Sequence, residues 1–66
     1  MDINKLKGKM VALNMNVEQL AKIIKVDRSS LYRKFNNAEK ITIGEAIKMK
    51  EALHMSSEEA CEIFLS

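Results

Sequence analysis

In the run Asp27-Arg28-Ser29-Ser30-Leu31-Tyr32-Arg33-Lys34-Phe35-Asn36, hydrogen-bonding side chains recur at a spacing that gathers them on one side of a helix. With Arg28 at the origin of a helical wheel, Leu31 and Phe35 fall at about 300° and 340°. Ser29, Tyr32, Arg33 and Asn36 fall between about 40° and 140°. The apolar pair predicts a buried edge, and the outward side offers a guanidinium fork, a hydroxyl, a phenol and an amide, with the second guanidinium, Arg28, where the two sides meet. The chemistry of such a set is recognition. Arginine donates two hydrogen bonds to paired acceptors such as O6 and N7 of guanine, while serine and asparagine serve base edges or phosphates. Tyr32 either packs along its helix or reaches the bound surface.

Bond-making chemistry finds no support. Ser29 and Ser30 have no accompanying base. Glu58-Glu59 is explained by the preference for acids at a helix start. His54 lacks a second ligand nearby, and Cys61, the one cysteine, excludes an internal disulfide and a cysteine-based zinc cluster. Cys61 is expected to be an ordinary buried small residue, and the five methionines to fill core. The expectation is a non-enzyme with no metal, no cofactor and no small-molecule substrate.

The elements that must position these groups follow from apolar spacing. Ile3, Leu6, Met10 and Leu13 predict a first helix over 2–13, with Gly8 on its opposite face. Asn16 with Gln19 forms a capping-box pattern opening a second helix, whose stripe is Val17, Leu20, Ala21 and Ile24. Lys25-Val26-Asp27 interrupts the period, and Asp27 is the expected cap of the third helix, over about 28–35. Asn36-Asn37 ends it, asparagine being tolerant of the left-handed conformation. A polar connection follows from Asn37 to Ile41. Thr42 with Glu45 and Ser56 with Glu59 then open two more helices. The fourth carries Ile43, Ala46, Ile47, Met49 and Leu53; the fifth carries Ala60, Cys61, Phe64 and Leu65. The reading is an all-α, five-helix single domain over 1–66.

Size and charge bound what such a domain can be. A chain of 66 residues buries only about 60% of its unfolded surface, which disfavours an elaborate catalytic cleft. No apolar run reaches the roughly 18 residues of a membrane span and no signal peptide opens the chain, so a cytoplasmic location is expected. The net charge of +2 conceals nine Lys/Arg against four acids in residues 1–40, and two against five in residues 41–66. A basic part beside an acidic part suits a polyanion on one face. At the C-terminal end, Ile63, Phe64 and Leu65 point around their helix and cannot all face one small core. They either close the domain or form a protein interface, with a second copy or another regulator.

Two short helices crossing through a three-residue turn need a small residue at closest approach, an apolar residue past the turn and a residue reaching back. Ala21, Val26 and Leu31 meet those needs over a motif at about 16–36. Residues 13–37 thereby resemble the helix-turn-helix of the Cro/lambda-repressor (Xre-like) family of phage and bacterial regulators. The five-helix order extends the resemblance more weakly beyond Asn37. Leu20, Ala21, Ile24, Val26 and Leu31 stand at the family's packing positions, and Arg28, Ser29 and Arg33 where it reads base edges, with Tyr32 beside them. Val17 stands where the family often grips phosphate, and Asn16 is the substitute. Lys25 replaces the usual turn glycine, Lys34 a common aliphatic core residue, and Asn37 a frequent glycine.

The resemblance implies a lambda-repressor-like DNA-binding domain with the third helix in the major groove and the second crossing the backbone. Asn16, Lys22, Lys25, Lys34, Asn36 and Lys40 are then phosphate candidates, with Lys5 and Lys9 in weaker positions. About six phosphates neutralised by the lysines of this set would give a log–log salt slope of about −5. The function expected is sequence-specific binding of a double-stranded DNA operator by a Cro- or repressor-like transcriptional regulator, as a monomer or homodimer. The alternative is a phage modulator or antirepressor that binds a partner repressor protein.

Overall fold

The structure, a computed structural model, describes residues 1–65. Five helices follow one another: α1 (Ile3–Ala12), α2 (Val17–Ile24), α3 (Arg28–Asn36), α4 (Ile43–Ala52) and α5 (Ser57–Phe64), with a 3-10 turn at Ala38–Lys40 before α4. The described residues contain no strand. Each helix begins at a side chain that takes up an orphan backbone donor. Asp2, Asn16, Asp27, Thr42 and Ser56 accept from the N–H groups of Lys5, Gln19, Ser30, Glu45 and Glu59. The boxes at Asn16, Thr42 and Ser56 are reciprocal, the third helical residue returning a bond to the cap N–H.

Three helix ends share one geometry. Asn14, Lys25 and His54 adopt positive φ (58°, 60° and 52°), and no glycine does. After each, a backbone N–H reaches five residues back: Met15 to Met10 O, Val26 to Ala21 O, and Met55 to Lys50 O (2.8, 3.0 and 3.0 Å). This double-bonded closure normally recruits glycine, because a Cβ is crowded in the left-handed region. Asn37, expected to use that region, instead lies at φ −138°, ψ 82°. Its N–H bonds Arg33 O and Lys34 O, and the chain passes into the 3-10 turn without reversing handedness.

The core is assembled from the predicted stripes. Leu6 and Met10 of α1, Leu20, Ala21 and Ile24 of α2, and Leu31 and Phe35 of α3 are buried together with Met49, Leu53, Met55 and Ile63. Helix α2 lies against both α3 and α4, and α1 against α5. Val26 is half-buried against this cluster, as a residue filling the gap past the turn should be. Leu13, expected in the first stripe, falls beyond the end of α1 and is 41% exposed. Ile63, considered for a protein interface, is buried and closes the core; Leu65 is exposed and Phe64 half-buried. Cys61 is exposed, contrary to expectation, because it stands some 160° around the helix from Ile63, which points inward.

Candidate nucleic-acid interface

Burial of Leu31 and Phe35 fixes the rotation of α3, and with it the groups that face solvent. Arg28, Ser29, Tyr32, Arg33 and Asn36 are all exposed. Tyr32 keeps half of its surface accessible (50%), so neither the packed nor the free reading of the phenol exhausts it. Ser30 contributes its N–H to the Asp27 cap (3.1 Å), which locks the first turn. No buried side-chain polar atom among the described residues lacks a partner.

The left-handed Lys25 sets the angle at which α3 leaves α2 and puts its own side chain on the surface beside exposed Lys22. A shallow cleft between the two helices is lined by Glu18, Lys22, Asp27 and Arg28. In it Arg28 forms an ion pair with Glu18 (3.3 Å), a contact that sequence spacing did not suggest because it crosses between helices. Both partners are well hydrated, so the pair is weak and orients more than it holds. Asn16 spends its carbonyl oxygen on the Gln19 N–H (2.8 Å), leaving its amide NH₂ as the group able to meet a phosphate.

The phosphate candidates separate into two sets. Lys22, Lys25 and Lys40 are exposed and, like Arg33, take part in no ion pair among the described residues. Lys34 is instead half-buried and donates to Glu45 Oε2 (2.5 Å), so its stem covers the core while its charge is spent inside the protein. Lys9 is bound likewise to Glu59 (3.0 Å), and Lys5 lies 3.8 Å from Glu62.

These contacts revise the charge asymmetry seen in the sequence. Three acids of the C-terminal part, Glu45, Glu59 and Glu62, are neutralised by three lysines of the N-terminal part. Burial acts to raise the Glu45 carboxyl, but the hydrogen bonds from Lys34 and Thr42 and the lysine charge outweigh it, so it titrates below its ordinary value. At Glu59 the Lys9 hydrogen bond, aided by the Ser56 cap, lowers the carboxyl.

Among the described residues, no group of three His, Cys, Asp or Glu side chains could hold a metal ion, and no helix is long and apolar enough to cross a membrane. No family model matches the chain, and no curated protein or solved structure is significantly similar to it.

Proposed function

We propose that the chain is a sequence-specific double-stranded DNA-binding transcriptional regulator, of the lambda-repressor-like helix-turn-helix kind, that lays α3 in the major groove. The observation that carries this reading is the division of α3: Leu31 and Phe35 anchor it, while Arg28, Ser29, Tyr32 and Arg33 stand in solvent. Arg33, exposed and without an acidic partner among the described residues, is the group best suited to a bidentate contact with guanine. Lys22 of α2, Lys25 of the turn and Lys40 of the 3-10 turn are exposed cations that serve as the phosphate contacts fixing register.

With three unpaired lysines instead of six phosphate contacts, the expected log–log salt slope per chain falls from about −5 to about −3. The test is fluorescence anisotropy of the whole chain on duplexes selected from random sequence, and on scrambled versions, across a salt series. Arg33→Ala should lower discrimination by about 1–3 kcal/mol at one base position. Lys40→Ala should weaken every duplex similarly and make the slope shallower by about 0.9. Equal losses for both variants on selected and scrambled DNA would refute the assignment. A second reading, a modulator that binds a partner repressor protein, is favoured by the apolar surface on α4 and α5 and predicts no salt-dependent DNA binding at all.

A further inference from the structure

Helix α3 is tied to its neighbours at both ends and on both margins of its buried edge. On the wheel that puts Leu31 and Phe35 at about 300° and 340°, Arg28 falls at 0° and Lys34 at about 240°. Arg28 opens the helix and pairs with Glu18 of α2; Lys34 stands in its last turn and pairs with Glu45 of α4. The two ties differ in strength. The Arg28 and Glu18 side chains are 64% and 45% exposed. Those of Lys34 and Glu45 are 24% and 12% exposed, the most enclosed of the four ion pairs among the described residues.

Burial of Leu31 and Phe35 settles which side of α3 turns outward. Apolar contact is non-directional, however, and defines the tilt of the helix on its neighbours less well. The backbone of α3 packs against α2 and the 3-10 turn, so the Lys34–Glu45 bond is its polar tie to α4. That bond is directional and charge-assisted, and its acceptor is itself fixed. Glu45 Oε1 receives the Thr42 N–H and hydroxyl (2.9 and 3.1 Å), while Oε2 receives Lys34 (2.5 Å). The start of α4 holds the carboxylate, and the carboxylate holds the last turn of α3. Arg33 stands in that same turn, next to Lys34.

We propose that Glu45 is a positioning residue for base recognition: through Lys34 it sets the tilt of α3, and so the place at which Arg33 meets a base pair. The consequence for recognition rests on the DNA-binding reading; the tilt itself does not. Lys34 then serves DNA binding from inside the protein, where an aliphatic residue would fill the same space without fixing a direction. Lifting the last turn away from α4 displaces the Arg33 guanidinium, and a bidentate fork depends on geometry as well as charge.

Two substitutions separate positioning from stability. Glutamine also serves the third position of a capping box, so Glu45→Gln keeps the bond to Thr42 while losing the charge that holds Lys34. Thr42→Ala does the reverse, weakening the cap and leaving the ion pair. In anisotropy titrations of the whole chain, Glu45→Gln should lower the preference for selected over scrambled duplexes by about tenfold, the effect of misaligning one bidentate contact. Its affinity for scrambled DNA should not fall, since no cation is lost. Thr42→Ala should retain the parent's preference, as should the conservative Lys34→Arg. Destabilisation alone lowers both affinities in proportion and leaves their ratio intact. Residual dipolar couplings of the free chain read the direction of α3 relative to α2 and α4, which should change in Glu45→Gln and not in Thr42→Ala. A Glu45→Gln chain that keeps either the parent's preference or its α3 direction, or a Thr42→Ala chain that loses as much of either, would overturn the proposal. A parent without any sequence preference refutes the DNA reading instead, and the couplings alone then decide whether Glu45 positions α3.

Discussion

Two properties meet at Lys25, and Lys25→Gly pulls them apart. The backbone there sits at φ 60°, ψ 45°. An L-residue so placed carries about 1–2 kcal/mol of crowding that glycine avoids. Glycine returns about 0.4–1 kcal/mol of that by loosening the unfolded chain. The balance is a gain of about 0.5–1 kcal/mol, which raises Tm by roughly 3–6 °C in a domain of this size. The same change deletes a cation. If Lys25 neutralises a phosphate, binding weakens on every duplex and the log–log salt slope becomes shallower by about 0.9. Circular dichroism during heating reads the first effect, and a salt series of binding isotherms the second. Lys25→Asn is the control, since asparagine enters the left-handed region more readily than lysine but carries no charge. It should gain less stability than Lys25→Gly while showing the same shift in slope. A lower Tm for Lys25→Gly would refute the strain argument, and an unchanged slope would remove Lys25 from the DNA contact.

Three further outcomes are expected. Glu18→Gln frees Arg28 from its ion pair and removes an acid beside the proposed contact, so scrambled duplexes should bind about threefold more tightly at low salt; unaltered scrambled-duplex affinity would speak against that placement. Glu45 and Glu59 both titrate below the ordinary value of 4.5, so their stabilising contribution is complete above that pH and is lost as pH falls through their lowered values. Urea unfolding between pH 6 and pH 3 should show this loss (pH values about those spanning the carboxylate range), and Glu45→Gln should flatten part of it. Leu31→Ala opens a cavity at a fully buried site and should cost about 2.7–5 kcal/mol, enough to unfold much of so small a domain at 37 °C; a loss under about 1 kcal/mol in chemical denaturation would show that Leu31 does not anchor α3.

What the sequence made legible was chemistry confined to a few neighbouring residues. The starts of α2, α3, α4 and α5 could be read because Asn16, Asp27, Thr42 and Ser56 each satisfy a donor three residues away. The outward face of α3 was legible for a similar reason, since Leu31 and Phe35 alone decide its rotation. Helix ends were harder. The reversal at Lys25 was signalled only by a missing glycine, and the left-handed residue expected at Asn37 is absent, while Asn14 and His54 adopt it. Backbone closure there depends on which carbonyl the next N–H can reach, and side-chain type records that poorly.

Contacts between distant elements were not legible at all. Lys34 and Lys9 read as free cations until α4 and α5 bring Glu45 and Glu59 beside them. The exposure of Ile43, Ile47 and Cys61 was hidden likewise. An apolar residue on a wheel shows that a face exists, and only the docked neighbours decide whether anything covers it.

The carboxylates of Glu45 and Glu59 are each shared between two tasks. One oxygen closes the first turn of its own helix at Thr42 or Ser56, and the other receives a lysine from a different helix. Local order and long-range docking are therefore written into the same functional group. A fluctuation that unwinds the start of α4 also lets go of α3, and one that frees α5 from α1 also undoes its first turn. In hydrogen exchange, the amides at those two helix starts should consequently open together with the inter-helix contacts, as one cooperative event instead of independent fraying.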